Sequence, residues 1–206
     1  MKKSSIILTV LVVLLGACIL YVDHRRESQH HEEYLHHVSN AFSNLEMADQ
    51  SVKIILENWE KKSPLEIANS LLSISSALNA TEVEMGGLEG YLRYHDNTSS
   101  GGSTSFLSNL FRFYKDSIDT KLRETWQHMN PNEQSISNEM YWAALQHDLI
   151  IMQRDFDQLL AVNRGKFEQA KVSDLHNYWL NQTTKLQFQE VTKRFHDFQG
   201  VQPSTR

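Results

Sequence analysis

The densest run of side chains able to bind a metal or move a proton is His30-His31-Glu32-Glu33-Tyr34-Leu35-His36-His37. Imidazole and carboxylate both ligate divalent metals, and histidine titrates near neutral pH. Spacing decides which of these uses is open. The zinc-binding pattern His-Glu-x-x-His places two imidazoles four residues apart on one helical face. His31 and His36 are five apart, which on a helix separates them by about 140°, so they cannot grip one ion. His30, Glu33 and His37 do share a face, at i, i+3 and i+7. The two histidines of that trio lie about 10 Å apart along a helix axis, too far for one ion without a bend. Zinc usually takes four ligands, so a second chain would have to complete the set. The run therefore reads first as a solvated histidine patch, then as a pH-responsive or headgroup-contacting one. His30, Glu33 and His37 stand as the metal-ligand candidates.

Other chemistries find less. A carboxylate-bridged di-iron site in a helical bundle needs Glu-x-x-His on two helices and Glu from two more, and here Glu33 to His36 is the one such step. Gly-x-Ser-x-Gly, P-loop and dinucleotide patterns do not occur. Asp49 falls on an apolar seam and His147 beside another, positions where a buried polar group more often sets register than performs catalysis. The expectation is a protein with no catalytic residues and no cofactor, not an enzyme.

The single cysteine, Cys18, lies within the apolar run Ile6 to Val22, behind Lys2 and Lys3. Seventeen residues reach roughly 25 Å as a helix, at the short end for a membrane span. Lysine stems can snorkel to the headgroups, and Tyr21 stands where an interfacial aromatic is expected. The excess positive charge on the N-terminal side keeps that end cytoplasmic by the positive-inside rule. Leu15-Gly16-Ala17-Cys18 also resembles the lipobox of bacterial lipoprotein signals. That resemblance implies cleavage before Cys18 and a lipid on its sulfur. Ile19, Leu20, Tyr21 and Val22 continue the apolar run where a mature lipoprotein usually turns polar, which favours an uncleaved anchor. Either way, residues 23–206 are expected outside the cytoplasm at a membrane surface. The domain reading is a cytoplasmic tail (1–5), a signal anchor (6–22), a helical body (23–200) and a disordered tail (201–206).

The elements that would position these groups are helices. Three prolines and eight glycines in 206 residues leave long stretches without breakers. Leu35, Val38, Phe42, Leu45, Val52, Leu56 and Trp59 make a first stripe, interrupted at Asp49. Ser63, Pro64 and Glu66 have the composition of a capping box. A second stripe follows through Ile67, Leu71, Ile74, Leu78, Thr81, Met85, Leu88 and Leu92. Gly86, Gly87 and Gly90 within it signal fraying, a kink or the close approach of a neighbour.

Residues 96–105 read as a flexible connection. A third stripe runs through Leu107, Leu110, Tyr114, Ile118, Leu122, Trp126 and Met129, ending at a capping signature of Asn130, Pro131 and Glu133. The fourth holds Trp142, Leu145, Leu149, Met152, Phe156 and Leu159 and stops at Gly165, with Ile136, Met140, Ala143 and Ile150 widening its face. A fifth spans about Ser173 to Phe198, with a phase shift near Gln187. The four tryptophans fall mostly on the stripes and are expected in the core. The fold class is all-α: an elongated antiparallel bundle of about five long helices following one N-terminal anchor.

After Val22 there are 18 Lys and Arg against 25 Asp and Glu, a net of −7, and such an acidic body repels phosphate backbones, so nucleic acid is not an expected partner. The leading functional expectation is a membrane-anchored interaction or scaffold module of the bacterial cell envelope, meeting a protein partner or its own copies through helical faces. The alternative is a ligand- or pH-sensing module. In outline the chain resembles the periplasmic half of chemoreceptor-type sensors, although no second span or signalling domain follows, so its output would pass through a partner.

Overall fold

In a computed structural model of the chain, the described residues are 2–95, 106–129, 139–162 and 172–201. Within them, the side chains of 2–12, 27, 30, 92–95, 172–176 and 201 lie outside the description. Six α-helices and one 3-10 turn make up the described residues, with no strand among them: α1 (Lys2–Leu56), the turn (Trp59–Lys61), α2 (Pro64–His95), α3 (Phe106–His128), α4 (Glu139–Leu160), α5 (Val172–Thr183) and α6 (Gln189–Val201). The expected connection at 96–105, the capping signature at 130–133, Ile136, the stop at Gly165 and the tail beyond 201 lie outside the described residues. Two compact units are distinguished, residues 1–36 and 37–206.

Each helix boundary in the first half of the second unit has a local cause. α1 ends because Asn58 adopts the left-handed conformation, φ 57° and ψ 37°, which asparagine tolerates better than most residues and which stops a helix. The capping box then starts α2. The Ser63 amide donates to Glu66 Oε2 at 2.8 Å, and the Glu66 amide donates to Ser63 Oγ at 3.3 Å. The Ser63 amide, together with the Ser63 hydroxyl donating to the same carboxylate oxygen at 2.9 Å, holds the Glu66 carboxyl below its usual range. Ile67, Leu71, Ile74, Leu78, Thr81, Met85 and Leu88 are all buried, so the second stripe faces the core as expected.

Neighbouring helices of the second unit pack in a bundle-like arrangement, with α2 and α3, and α3 and α4, antiparallel. On α1 and α2, His37 meets Glu84. Between α2 and α3, Arg112 bonds Glu82, while Ser75 near the other end of α2 bonds Asp119. Between α3 and α4, Tyr114 reaches Asp155, while Lys121 reaches Asp148 and Thr125 reaches Tyr141. α4 also returns to α1 through Lys53–Asp157, and to the 3-10 turn through the Trp59–Trp142 ring pair. Trp179 of α5 inserts between α1 and α3, its ring centroid 5.2 Å from Phe42 and 5.4 Å from Phe111. Its indole N–H donates to the Leu159 carbonyl at the end of α4, so the buried indole keeps its polar atom satisfied.

Three details differ from the sequence reading. The third stripe turns: Leu107, Leu110, Phe111, Tyr114, Ser117, Ile118, Lys121 and Thr125 are interior, while Leu122 is half-buried and Trp126 exposed. Partners on α4 and just before α6 cause this, because Lys121 pairs with Asp148 and lies over the Phe188 ring. On α4, Met140 and Ala143 are exposed rather than part of a second packed face. The fifth helix is two, α5 and α6, separated by 184–188. The phase shift near Gln187 marks that break, and its physical cause is Asp155.

Candidate functional site

Asp155 is a heavily bonded buried carboxylate. It projects from α4 and is almost fully buried. Its Oδ1 accepts the Gln187 amide at 2.8 Å, and its Oδ2 accepts the Phe188 amide at 3.0 Å and the Tyr114 hydroxyl at 2.6 Å. Gln187 and Phe188 immediately precede α6, so the carboxylate caps that helix from a distance and meets the positive end of its dipole. Burial first, and then the charge of Asp155, push the Tyr114 phenol well above its ordinary value. The phenol is a donor here and not an acid. Glu89 does for α3 what Asp155 does for α6: its carboxylate accepts the Leu107 amide and the Ser108 hydroxyl, both at 2.8 Å. These groups hold helix ends together; each carboxylate is occupied by helix-end donors.

The histidine run divides. Glu33 is exposed, and the His30 side chain lies outside the described residues. His37 is half-buried, its Nδ1 2.7 Å from Glu84 Oε2, while Asn40 donates to Glu84 Oε1 at 3.1 Å. The His37 ring lies directly over Gly87, where an added Cβ would come within 2.5 Å of His37 Cε1. That is the close approach for which glycine is needed; Gly86 and Gly90 face open space. No group of three or more His, Cys, Asp or Glu able to hold a metal occurs among the described residues. His147 is exposed. Asp49 is buried, bonded through Oδ2 to Lys53 at 2.6 Å, and Lys53 also bonds Asp157 at 2.9 Å. Asp157 was not legible as the partner on α4, since no local spacing relates residue 53 to residue 157.

Two apolar surfaces remain. In the first unit, Val13, Leu14, Leu15, Ile19, Leu20, Tyr21 and Val22 are each at least 55% exposed, and Cys18 is exposed among them. Among the described residues, no helix has an apolar stretch long enough to cross a membrane; the side chains of 6–12, which make up the first part of the Ile6–Val22 run, are outside that description. In the second unit, a shallow groove between α1 and α2 is lined by Met47 and Ile54 from α1 and by Leu72, Ser73, Ser76 and Ala80 from α2. The three large side chains are each about half exposed, and no lining residue is charged.

No known family model, curated protein or solved structure matches this chain.

Proposed function

We propose that the protein is a membrane-anchored, extracytoplasmic interaction module of the bacterial cell envelope, held by residues 6–22 with its N-terminus in the cytoplasm. The observation that carries this reading is the exposure of Val13 to Val22 on all sides of a helix. A helix apolar around its whole circumference is stable when lipid or protein covers it. Residues 6–12 add Ile6, Ile7, Leu8, Val10, Leu11 and Val12 to the same run. The exposed Cys18 keeps the lipoprotein route open to test.

The body meets a second copy of itself through the α1–α2 groove. Met47, Ile54 and Leu72 supply apolar area there, and the uncharged lining lets two copies of a chain of net charge −5 approach without a like-charge contact at the seam. Anchoring confines copies to one surface and raises their effective concentration.

Fractionation and mass settle the first part. The full chain is expected in the membrane fraction, resistant to carbonate and released by detergent, with the intact mass of residues 1–206. A mass lacking residues 1–17 and carrying a lipid increment, lost in Cys18→Ser, would replace the anchor with lipidation. Recovery in the aqueous fraction would overturn both. For the second part, Ile54→Cys in a Cys18→Ser background is expected to form a crosslinked dimer in membranes, while Arg123→Cys on exposed α3 surface is not. Equal crosslinking at both positions, or none, would remove the groove from the proposal.

A further inference from the structure

A cavity of about 210 Å³ lies where the start of α3, the end of α5 and the face of α6 converge. Its apolar wall is Phe106, Leu110, Leu180, Leu186 and Phe195. Leu110 and Phe195 are buried, while Phe106 packs edge-on against Phe195 and Phe198 at 6.3 and 5.6 Å. The framework around it is fixed by bonds over long sequence distances. Asp155 holds the amides of Gln187 and Phe188, and Glu89 holds the amide of Leu107. Such a space is formed before a ligand arrives, which lowers the cost of occupying it.

The threonines of the lining share a single hydrogen-bonding sense. Thr183 donates its hydroxyl to the Leu180 carbonyl at 2.6 Å, Thr184 to Asn181 at 2.9 Å, and Thr192 to the carbonyls of Phe188 and Gln189 at 3.2 and 3.1 Å. With the hydrogens committed to the backbone, each hydroxyl offers only oxygen lone pairs. His196 and Gln199, whose ring and amide nitrogens can donate, complete the lining, and no Lys, Arg, Asp or Glu is part of it. An ionised ligand would lose hydration there with no opposite charge to replace it.

From this geometry we infer that the cavity is a binding site for a small neutral ring compound bearing one hydrogen-bond donor, of the size and chemistry of a phenol. The ring fills the space walled by Phe106, Leu110, Leu186 and Phe195, and the donor meets the threonine oxygens. An apolar cavity of roughly 150 Å³ takes up benzene, so this volume holds one substituted ring. The inference does not depend on the anchor or on the groove.

Phenol titrated into the full chain in detergent, with Leu and Thr methyl groups labelled for NMR, tests it. Saturable shifts are expected at Leu110, Leu186 and Thr192, with toluene binding at least threefold more weakly and benzoate giving no saturable shift. Thr192→Val is expected to weaken phenol by roughly three- to tenfold, the loss of one hydrogen bond, and to leave toluene unchanged. Leu186→Phe is expected to abolish saturation by filling the cavity; should that variant not fold, the phenol–toluene comparison in the native chain and in Thr192→Val decides alone. Shifts that rise linearly with phenol, equal affinities for phenol and toluene, or benzoate binding as well as phenol would each overturn the assignment.

Discussion

Asp155 and Asp49 are both buried carboxylates on helix faces that point into the bundle, yet the regions around them are built in opposite ways. At the junction of α3, α4 and α6, both oxygens of Asp155 are used, by two backbone amides and a buried phenol. On the α1 seam, Asp49 has Lys53 on Oδ2, while Oδ1 has no partner among the described residues. Desolvation there outweighs the attraction of Lys53 and raises the Asp49 pKa above its usual value. The difference teaches that burial of a carboxylate is not itself a sign of importance. Asp155 replaces water with three fixed donors and thereby sets the path of the chain; Asp49 loses water for one, and Lys53 keeps a second partner in Asp157.

The largest effect should follow removal of the better-bonded group. Asp155→Ala leaves a buried phenol and two helix-end amides without an acceptor. A loss of about 3–5 kcal/mol in urea unfolding is expected, with the amides of 187–192 losing hydrogen-exchange protection first. A loss below 1 kcal/mol would erase the contrast between the two regions.

Tyr114→Phe keeps the ring packed against Phe156 but removes one donor, and about 1–2 kcal/mol is expected. It should also change the alkaline limb of stability. The folded chain holds the phenol protonated above its ordinary value near 10, so this contribution is present below that pH. It is lost as pH rises further, because the unfolded chain releases the proton first. The mutant should lose less stability than the native chain above about pH 10. Lys53, raised by its bonds to Asp49 and Asp157, also loses its contribution in that alkaline range and remains in the mutant. Parallel alkaline slopes for the two chains would show that Tyr114 is not held protonated.

The α1–α2 contact offers a test by sign. Gly87→Ala must displace the His37 ring from above the helix and disturb its bond to Glu84, whereas Gly86→Ala and Gly90→Ala meet open space. Alanine should stabilise positions 86 and 90 by up to about 1 kcal/mol each. Position 87 should fall roughly 1–2 kcal/mol below them. Equal melting temperatures for the three variants would mean the ring yields freely.

The smallest change is expected at Asp49. Asp49→Leu removes a desolvated carboxylate while Lys53 retains Asp157, so stability should move by less than about 1 kcal/mol in either direction. The raised pKa has a defined sign. Protonated Asp49 suits the fold better than the ion, so its contribution falls as pH rises from the usual carboxylate value through the folded one. Asp49→Asn should flatten that part of the acid profile. A loss comparable to that of Asp155→Ala would make the seam carboxylate an organising group after all.

The parts legible in the sequence are those decided within a few residues. Ser63 and Glu66 specify a helix start because both partners lie in one turn. The second stripe, Ile67 to Leu88, faces the core because a 3.6-residue period is a local property. The all-helical class follows from the same periodicity, and the exposed apolar character of Val13 to Val22 is written in their side chains. For the histidine run, spacing ruled out a compact pair, and His37 went instead to Glu84, 47 residues away. Gly87 is informative only in hindsight, since three nearby glycines look alike until His37 covers one of them.

Tertiary structure alone decided the rest. The phase shift at Gln187 located the division of the last helix but could not supply its cause, a carboxylate 32 residues earlier that accepts the amide there. The third stripe turned toward Lys121 and Thr125 because Asp148 and Tyr141 wait on α4, and hydrophobic periodicity does not register such partners. The cavity at the α3–α5–α6 junction likewise has no linear signature, since its wall is gathered from separate helices and its acceptors are defined by where each threonine hydrogen is spent. Periodicity fixes which face of a helix turns inward; what that face meets depends on contacts between residues far apart in the chain.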